Sequence, residues 1–203
     1  MTEFRPNRRH AILAGAVLLS GCGSLIGPTN EPGKIYVLSP NIAAGNGART
    51  AWQLAVAKPE ASASLATERI AIVRGNELDY YADAQWADGA PQLLQNFLVE
   101  ALEKNGVAAA KDVEGIKADY ILQAEIHAFD ARYDQGEAPP KIEIVVTARL
   151  IAVHDSAILA AREFREEAQA SANSVPAAVA AFDQATAAIL ADVVRWVLAA
   201  ARH

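Results

Sequence analysis

The single cysteine of this chain, Cys22, is the residue best placed to do covalent chemistry. A cysteine thiolate is a strong nucleophile that can be alkylated or acylated. Cys22 follows the small residues Ser20 and Gly21, at the end of an apolar run over residues 11–19. This run has nine residues, within the roughly 7–15 of a secretory signal and short of the about 20 of a membrane-spanning helix. The segment therefore predicts export and cleavage beside Cys22.

Residues 19–22, Leu-Ser-Gly-Cys, resemble the lipobox of bacterial lipoproteins, and three arginines precede the apolar run. The resemblance implies a signal peptide over 1–21, a diacylglyceryl thioether on Cys22 and a further acyl chain, such as palmitate, on its amine. Each buried CH2 contributes about 0.8 kcal/mol, so two or three chains give lasting attachment. Gly23 in place of aspartate favours the outer membrane over the inner membrane by enterobacterial sorting rules. The alternative is a secreted protein in which Cys22 is incidental.

The charge balance argues against several classes of partner. The chain holds 18 basic and 24 acidic residues, and loss of residues 1–21 removes three arginines and one glutamate. The mature chain of 182 residues then has 15 basic against 23 acidic groups, a formal net charge of −8. No cluster of lysines or arginines suits nucleic acid or anionic lipid heads. With one cysteine, the domain depends on its core and not on disulfides.

Turn-forming residues dominate 22–33, which predicts a lipidated tether ahead of a single domain over 34–203. A short β-type run covers 35–38, and the alternation over 52–56 predicts a half-buried strand. Residues 69–81 predict a hairpin with its turn at Arg74-Gly75-Asn76-Glu77.

Two helices are predicted. The first covers about 89–104, with Pro91 in its first turn and a stop at Asn105-Gly106. The second covers about 175–200, with Ser174 as its N-cap. Its apolar stripe predicts packing on a sheet, the alternative being a coiled-coil contact with a partner. The stripe consists of Val175, Val179, Phe182, Thr186, Ile189, Val193, Trp196 and Ala200.

Three longer runs, over about 120–129, 142–150 and 158–166, predict consecutive strands. The first two alternate apolar with polar residues, which is typical of an antiparallel sheet with one buried and one wet face. The polar segment His154-Asp155-Ser156 predicts a tight turn between the last two. The fold class predicted is α+β: a mainly antiparallel mixed sheet with two main helices packed on it.

The segment over 78–88 combines Tyr80, Tyr81 and Trp86 with aspartates just before the first helix, where loop is favoured over strand interior. Tyrosine and tryptophan anchor protein interfaces because each has a large apolar body and a polar group. These three aromatics are therefore candidate partner-interface residues. The alternative is that they pack inward and fix the segment to the sheet.

No catalytic residue, metal ligand or cofactor site is predicted. His127, His154 and His203 are scattered and lack metal-ligand spacing. Glu125 and His127 share one strand face and could form an acid/base pair, but polar residues of a wet sheet face explain them as well. The sequence therefore favours a protein that is not an enzyme.

The order of several short motifs resembles the ABC-type transport auxiliary lipoproteins over about residues 34–197. The motifs are Tyr36-Val37-Leu38, Arg69-Ile70-Ala71, Tyr80-Tyr81-Ala82-Asp83, Trp86, Ala118-Asp119-Tyr120 and Ala181-Phe182-Asp183-Gln184-Ala185. The resemblance implies a periplasmic accessory subunit that works with an MCE-domain protein, a permease and an ATPase to move lipids or other hydrophobic compounds between membranes. The protein could also form a homo-oligomer, which the sequence leaves open.

A second hypothesis is a structural or regulatory envelope lipoprotein, for example an activator of cell-wall synthesis. Such a protein would need to reach away from its membrane. The tether has only about 11 residues and spans at most ~35–40 Å when fully extended. This short reach favours the transport hypothesis.

Overall fold

A computed structural model describes residues 33–45, 49–113, 115–134 and 138–201. Pro32–His203 forms one compact unit. The predicted signal peptide, Cys22 and the tether up to residue 32 lie outside the described residues, as does His203.

In the described part of the chain, nine strands form one mixed sheet and two helices pack on it, so the α+β prediction is confirmed. The elements in chain order are β1 (Lys34–Tyr36), β2 (Gln53–Val56), β3 (Glu60–Ala61), β4 (Arg69–Arg74), β5 (Glu77–Trp86), α1 (Ala90–Lys104), β6 (Ala108–Lys111), β7 (Tyr120–Arg132), β8 (Lys141–Ala152), β9 (Ile158–Gln169) and α2 (Val175–Ala200).

Strand β7 organises the sheet. One of its edges pairs antiparallel with β8 along the whole length, and β8 pairs antiparallel with β9, which confirms the predicted run of three strands. The other edge of β7 takes three short parallel partners: β2 near its start, β3 in its middle and β4 at its end. Beyond these, β6 pairs with β2, and β5 joins β4 to β1.

The turns at the two hairpins follow the predicted chemistry. Between β4 and β5, Gly75 has φ 58°, a conformation that glycine adopts without the steric penalty of a Cβ. Between β8 and β9, the Asp155 Oδ1 accepts a hydrogen bond of 3.1 Å from the Ala157 N–H, and Ser156 has φ 60°. Polar turn residues thus close both hairpins.

A bulge in β7 changes which residues face the helices. Its register against β8 shifts between Ile126 and Ala128. Before the shift the even-numbered Leu122 and Ile126 are buried, and after it Phe129 faces the helices by contact with α2. One extra residue reverses the alternation, as a β-bulge does.

The predicted burial pattern is wrong in two places. Strand β2 does not alternate: Leu54, Ala55 and Val56 are all buried, because β2 lies between β6 and β7 and its second face carries only the small Ala55. The face of β8 that the alternation predicts to be wet also holds a buried residue, since Glu143 is 4% exposed. Arg132 and Arg165 pair with Glu143 and balance its charge.

Both predicted helices are confirmed. Helix α1 has Pro91 in its first turn, and the Asn105 side chain donates to the Ala101 carbonyl at its end. Helix α2 begins after Ser174, whose Oγ accepts from the Ala177 N–H at 3.4 Å. The stripe of α2 packs on β8 and β9, as predicted: its central residues, from Val179 to Val193, are buried, and Val175, Trp196 and Ala200 are half-buried.

By length and composition, α2 could also cross a membrane, with a mean hydropathy of 1.5 over its most apolar window. However, 56% of that window is buried inside the domain, a pattern that the core helix of a soluble domain shares.

The layer between the helices and the sheet is closely filled. The cavity found between α1, α2 and the sheet has a volume of about 10 Å³. A space of this size holds about one water molecule. Its lining is apolar and comprises Leu94, Leu98, Leu122, Ala124, Val146, Ala148, Ile189 and Val193.

Candidate functional site

The predicted interface residues Tyr80, Tyr81 and Trp86 all lie on β5, so the prediction that 78–88 is loop is wrong. The first part of β5 pairs with β4, and its last residues, Ala84 to Trp86, pair in parallel with β1. This second pairing extends the strand. The sequence signal for it was weak, because β1 has only three residues and lies far away in the chain.

Trp86 belongs to the core and is 1% exposed. Its ring meets Phe182 of α2 edge-on with ring centres 5.0 Å apart and Phe129 of β7 at 6.2 Å, and the two phenyl rings lie 5.1 Å apart. These rings, called here the aromatic junction, tie the end of β5 to the central strand and the long helix. Within the monomer Trp86 therefore fixes the sheet to α2.

Tyr80 and Tyr81 are half-buried and, as neighbours on a strand, point to opposite faces of the sheet. The Arg69 guanidinium lies 3.7 Å from the centre of the Tyr80 ring, and the Tyr80 hydroxyl donates to the Ser64 carbonyl at 3.1 Å. Tyr80, Tyr81 and the buried Trp86 thus do not form one surface patch. Any contact that the two tyrosines make with a partner would be on different faces.

The Tyr81 hydroxyl lies 2.8 Å from the hydroxyl of Tyr133, which donates to Asn173 Oδ1 at 3.1 Å. Since the Tyr133 proton is used on Asn173, Tyr81 donates to Tyr133. Burial, reinforced by this hydrogen bond, raises the pKa of Tyr81. Tyr81 therefore keeps its proton and links β5 to the segment that precedes α2.

The start of the domain is fixed to both β5 and α2, through what we call the first-strand junction: Tyr36, Leu38, Ser39, Ala87 and Asp183. The Ala87 N–H donates to the Tyr36 carbonyl at 3.0 Å, and the Ser39 N–H donates to Asp183 Oδ1 at 2.6 Å. Burial raises the pKa of Asp183, while the Ser39 N–H favours its ionised form. Leu38 is buried in the core. Sequence reasoning did not identify Asp183 as a contact of the first strand.

Two apolar side chains beside this junction face solvent. Ile35 of β1 is 62% exposed, and Val37, directly after β1, is 68% exposed, at the edge of the sheet where β1 pairs with β5. Large apolar side chains on a short edge strand offer a contact surface to a partner. We call Ile35 and Val37 the β1 surface.

The face of the sheet away from the helices, called here the open face, carries a charged group on β7, β8 and β9. Asp130 and Glu143 are buried; Arg132 Nε lies 3.1 Å from Asp130 Oδ1 and pairs with Glu143, which also pairs with Arg165. Burial raises the pKa of Asp130 to about 6, an effect that the Arg132 charge partly offsets. The arginines thus balance two carboxylates that the strands bury.

The suggested acid/base pair lies on the same face. His127 Nδ1 is 3.9 Å from Glu125, and its Nε2 is 2.9 Å from Thr147 Oγ1. Both side chains of the pair are about two-fifths exposed, as polar residues of a solvated sheet face are. Within the ranges that the structure describes, no group of three or more His, Cys, Asp or Glu side chains is arranged to hold a metal ion.

The described residues form an α+β domain in which the segment just after β1 is hydrogen-bonded to α2. Residues 36–194 match the family described as the ABC-type transport auxiliary lipoprotein component, and the protein belongs to that family. The motifs at 36–38, 86 and 181–185 that carried the resemblance meet in space, at the two junctions described above.

Comparison with known proteins supports the assignment. A crystal structure of a protein from Xanthomonas campestris is 29% identical, with a TM-score of 0.76, and the match covers 83% of this chain and 97% of that one. A second crystal structure, 20% identical with a TM-score of 0.64, shares the fold over 82% of this chain and 99% of its own. A protein of Bradyrhizobium diazoefficiens is 32% identical over 149 residues, which make up 72% of this chain and 40% of that relative.

Membership of this family implies a membrane-anchored protein of the cell envelope. The chain spans only 40% of the length of the Bradyrhizobium relative, so that relative contains a further region.

Proposed function

We propose that this protein is a periplasmic accessory lipoprotein of an MCE-type ABC transport system, which moves lipids or other hydrophobic compounds between membranes. Its acylated Cys22 anchors it in the outer membrane. It acts without catalysis, through contact with the MCE-domain protein that works with the permease and the ATPase.

The observation that carries the contact role is the closed core. A lipid carrier needs an apolar space for acyl chains, whereas the cavity between helices and sheet has a volume of about 10 Å³. The space found between these layers is too small for an acyl chain. A domain packed in this way supports transport by binding and positioning a partner.

The first-strand junction supports a mechanical part of this role. The predicted tether directly precedes β1 in the sequence. The Tyr36 carbonyl is bound to Ala87, and the Ser39 N–H is bound to Asp183, so the start of the domain is fixed to β5 and α2. A domain anchored through a short tether at this point stays close to its membrane, and the β1 surface lies next to the tether in the sequence. We propose that Ile35 and Val37 contact the MCE-domain protein, and that Tyr80 and Tyr81 contribute further contacts.

The anchor is tested by Cys22→Ala. The thioether cannot form without the thiol, so we expect the variant to lose labelled palmitate and to leave the membrane fraction or stay as an uncleaved precursor. A variant that still enters the detergent phase with label attached would overturn the anchor.

The partner is tested by co-purification with the MCE-domain protein, permease and ATPase encoded in the same genome. Ile35→Asp with Val37→Asp should reduce capture about tenfold, since buried apolar anchors dominate binding. The matched control is Val113→Asp with Ile116→Asp, another exposed apolar pair. Full capture by the first variant would remove the β1 surface from the interface. Capture of cell-wall synthases in place of the transporter would favour the envelope-regulatory hypothesis.

A further inference from the structure

Strand β9 has 12 residues and is paired on one side only, with β8. In the described part of the chain no strand covers its other edge. A long open edge has free backbone N–H and C=O groups, and proteins usually block such edges with charged side chains. Strand β9 does carry charges, but their order is unusual.

The middle of β9 reads Arg162-Glu163-Phe164-Arg165-Glu166, with charges of opposite sign at equal distances on either side of Phe164. In an antiparallel pair of two such strands centred on Phe164, Arg162 faces Glu166 of the second copy. In the same pair Glu163 faces Arg165 of the second copy. The twofold axis repeats each contact, so four oppositely charged pairs form.

Antiparallel pairs centred on either neighbour of Phe164 bring like charges together. Centring the pair on Arg165 puts this arginine opposite itself and Glu163 opposite Glu167 of the second copy. A parallel pair in register puts every charge opposite its own kind. Since like charges directly opposite each other destabilise a sheet and opposite charges stabilise it, the charges favour the register centred on Phe164 over these alternatives.

The faces of β9 keep these pairs apart. The Phe164 ring meets Trp196 of α2 edge-on at 5.6 Å, so Phe164 lies on the face that the helices cover. By strand alternation Arg162 and Glu166 share that face, while Glu163 and Arg165 lie on the open face. Two pairs would therefore form on each side of the joined sheet.

On the helix-covered face, Arg162 and Glu166 would each gain an ion-pair partner. Arg165 already binds Glu143 and lies 3.7 Å from Glu163, whereas within the described residues neither Arg162 nor Glu166 has an ion-pair partner within 4.0 Å. The Arg162 guanidinium lies over the Phe164 ring at 4.9 Å. Burial and the charge of Asp192 raise the pKa of Glu166, although Arg195 opposes this. A second cation beside Glu166 would stabilise its ionised carboxylate.

Exposed apolar side chains at the start of the strand fit the same arrangement. Ile158 and Leu159 are exposed. In the register centred on Phe164 they face Ala170 and Gln169 of the second copy, so pairing would cover them.

We propose that the β9 edge is a binding surface for a second copy of this chain, joined antiparallel about a twofold axis at Phe164 so that two sheets become one. This dimer goes beyond the proposed transport role and stands without it. The occupant is a second copy because the charge order of β9 is complementary to itself.

The test is the dissociation constant of the mature lipidated chain in detergent, measured by density-matched sedimentation. Arg162→Glu places like charges opposite each other at two symmetric positions, so we expect dimerisation to weaken about tenfold. Glu166→Arg should weaken it similarly. The double variant R162E/E166R exchanges the charges and should return the constant to the wild-type value.

Glu100→Arg, an exposed charge change on α1, is the matched control and should leave the dissociation constant unchanged. Circular dichroism of each variant confirms that the domain is folded. A wild-type chain that stays monomeric would overturn the proposal. So would a closed ring of other stoichiometry that is indifferent to R162E, or a folded double variant that fails to recover dimerisation.

Discussion

The helix-covered face of the sheet and its open face bury side chains of different chemistry. On the covered face, Trp86, Phe129 and Phe182 bury uncharged aromatic rings against one another. On the open face, Asp130 and Glu143 are buried as carboxylates and depend on arginines. The first arrangement is insensitive to pH and salt, whereas the second responds to both. The comparison indicates that the covered face holds the fold together, and leaves the open face and the edges for contacts.

The largest effect should come from the aromatic junction. Phe182→Ala removes a fully buried ring between Trp86 and Phe129, so we expect the free energy of unfolding to fall by about 3–5 kcal/mol in a denaturant titration. Val153→Ala, at an exposed position, should change it by less than about 0.5 kcal/mol. A loss below about 1 kcal/mol for Phe182→Ala would mean that the covered face does not carry the stability.

Breaking the charged group should cost less. Glu143→Ala leaves Arg132 and Arg165 without their shared carboxylate, but these arginines are 38% and 53% exposed, so water can solvate them. We expect a loss of about 1–2 kcal/mol, below the range for fully buried pairs. Glu163→Ala, a carboxylate on the same face that is more than half exposed, is the control and should cost about 0–1 kcal/mol. Equal losses for the two variants would contradict the buried role of Glu143.

Asp130 gives the open face a pH dependence of definite sign. Its pKa is about 6 in the folded protein against a usual value of 3.8, so the folded state binds the proton more tightly than the unfolded state. The contribution of Asp130 to stability is therefore greatest at low pH and is lost as pH rises from about 4 to about 6.

The measurement is the unfolding free energy of wild type and Asp130→Asn across this pH range. The amide does not titrate, so the fall that Asp130 causes should be missing from the variant. Identical pH profiles for the two proteins would show that Asp130 has an ordinary pKa in the folded state.

Local patterns in the sequence were enough to predict both helices, the hairpins and the three long strands. Helix caps, turn residues and alternation are properties of neighbouring residues, and Ser174, Gly75 and Asp155 behave as these rules expect. The parallel pairings of β7 with β2, β3 and β4 join distant segments, and no short pattern encodes them. The buried Glu143 was missed for a related reason, since its arginine partners lie on other strands.

The candidate site was predicted less completely than the fold. The choice of Tyr80, Tyr81 and Trp86 rested on their residue types, and type alone does not tell whether an aromatic ring is packed inside or offered to a partner. The long-range contact between Ser39 and Asp183 decides how the first strand is held, but nothing near either residue indicates the other. Contacts of this kind need the folded chain.

The smallest expected effect compares the two tyrosines. Tyr80 pairs with Ala71, which pairs with Asp130 of the open face, so Tyr80 lies on the open face and Tyr81 on the covered face. Tyr81→Phe removes a hydroxyl that is hydrogen-bonded to Tyr133 and shielded from water, so we expect a loss of about 1 kcal/mol. Tyr80→Phe removes a longer bond to the Ser64 carbonyl but keeps the ring under Arg69, so its loss should be about 0.5 kcal/mol or less. Denaturant titrations of both variants at the same pH give the difference. A greater loss for Tyr80→Phe would mean that the open face holds β5 more firmly than the covered face, which would reverse the comparison.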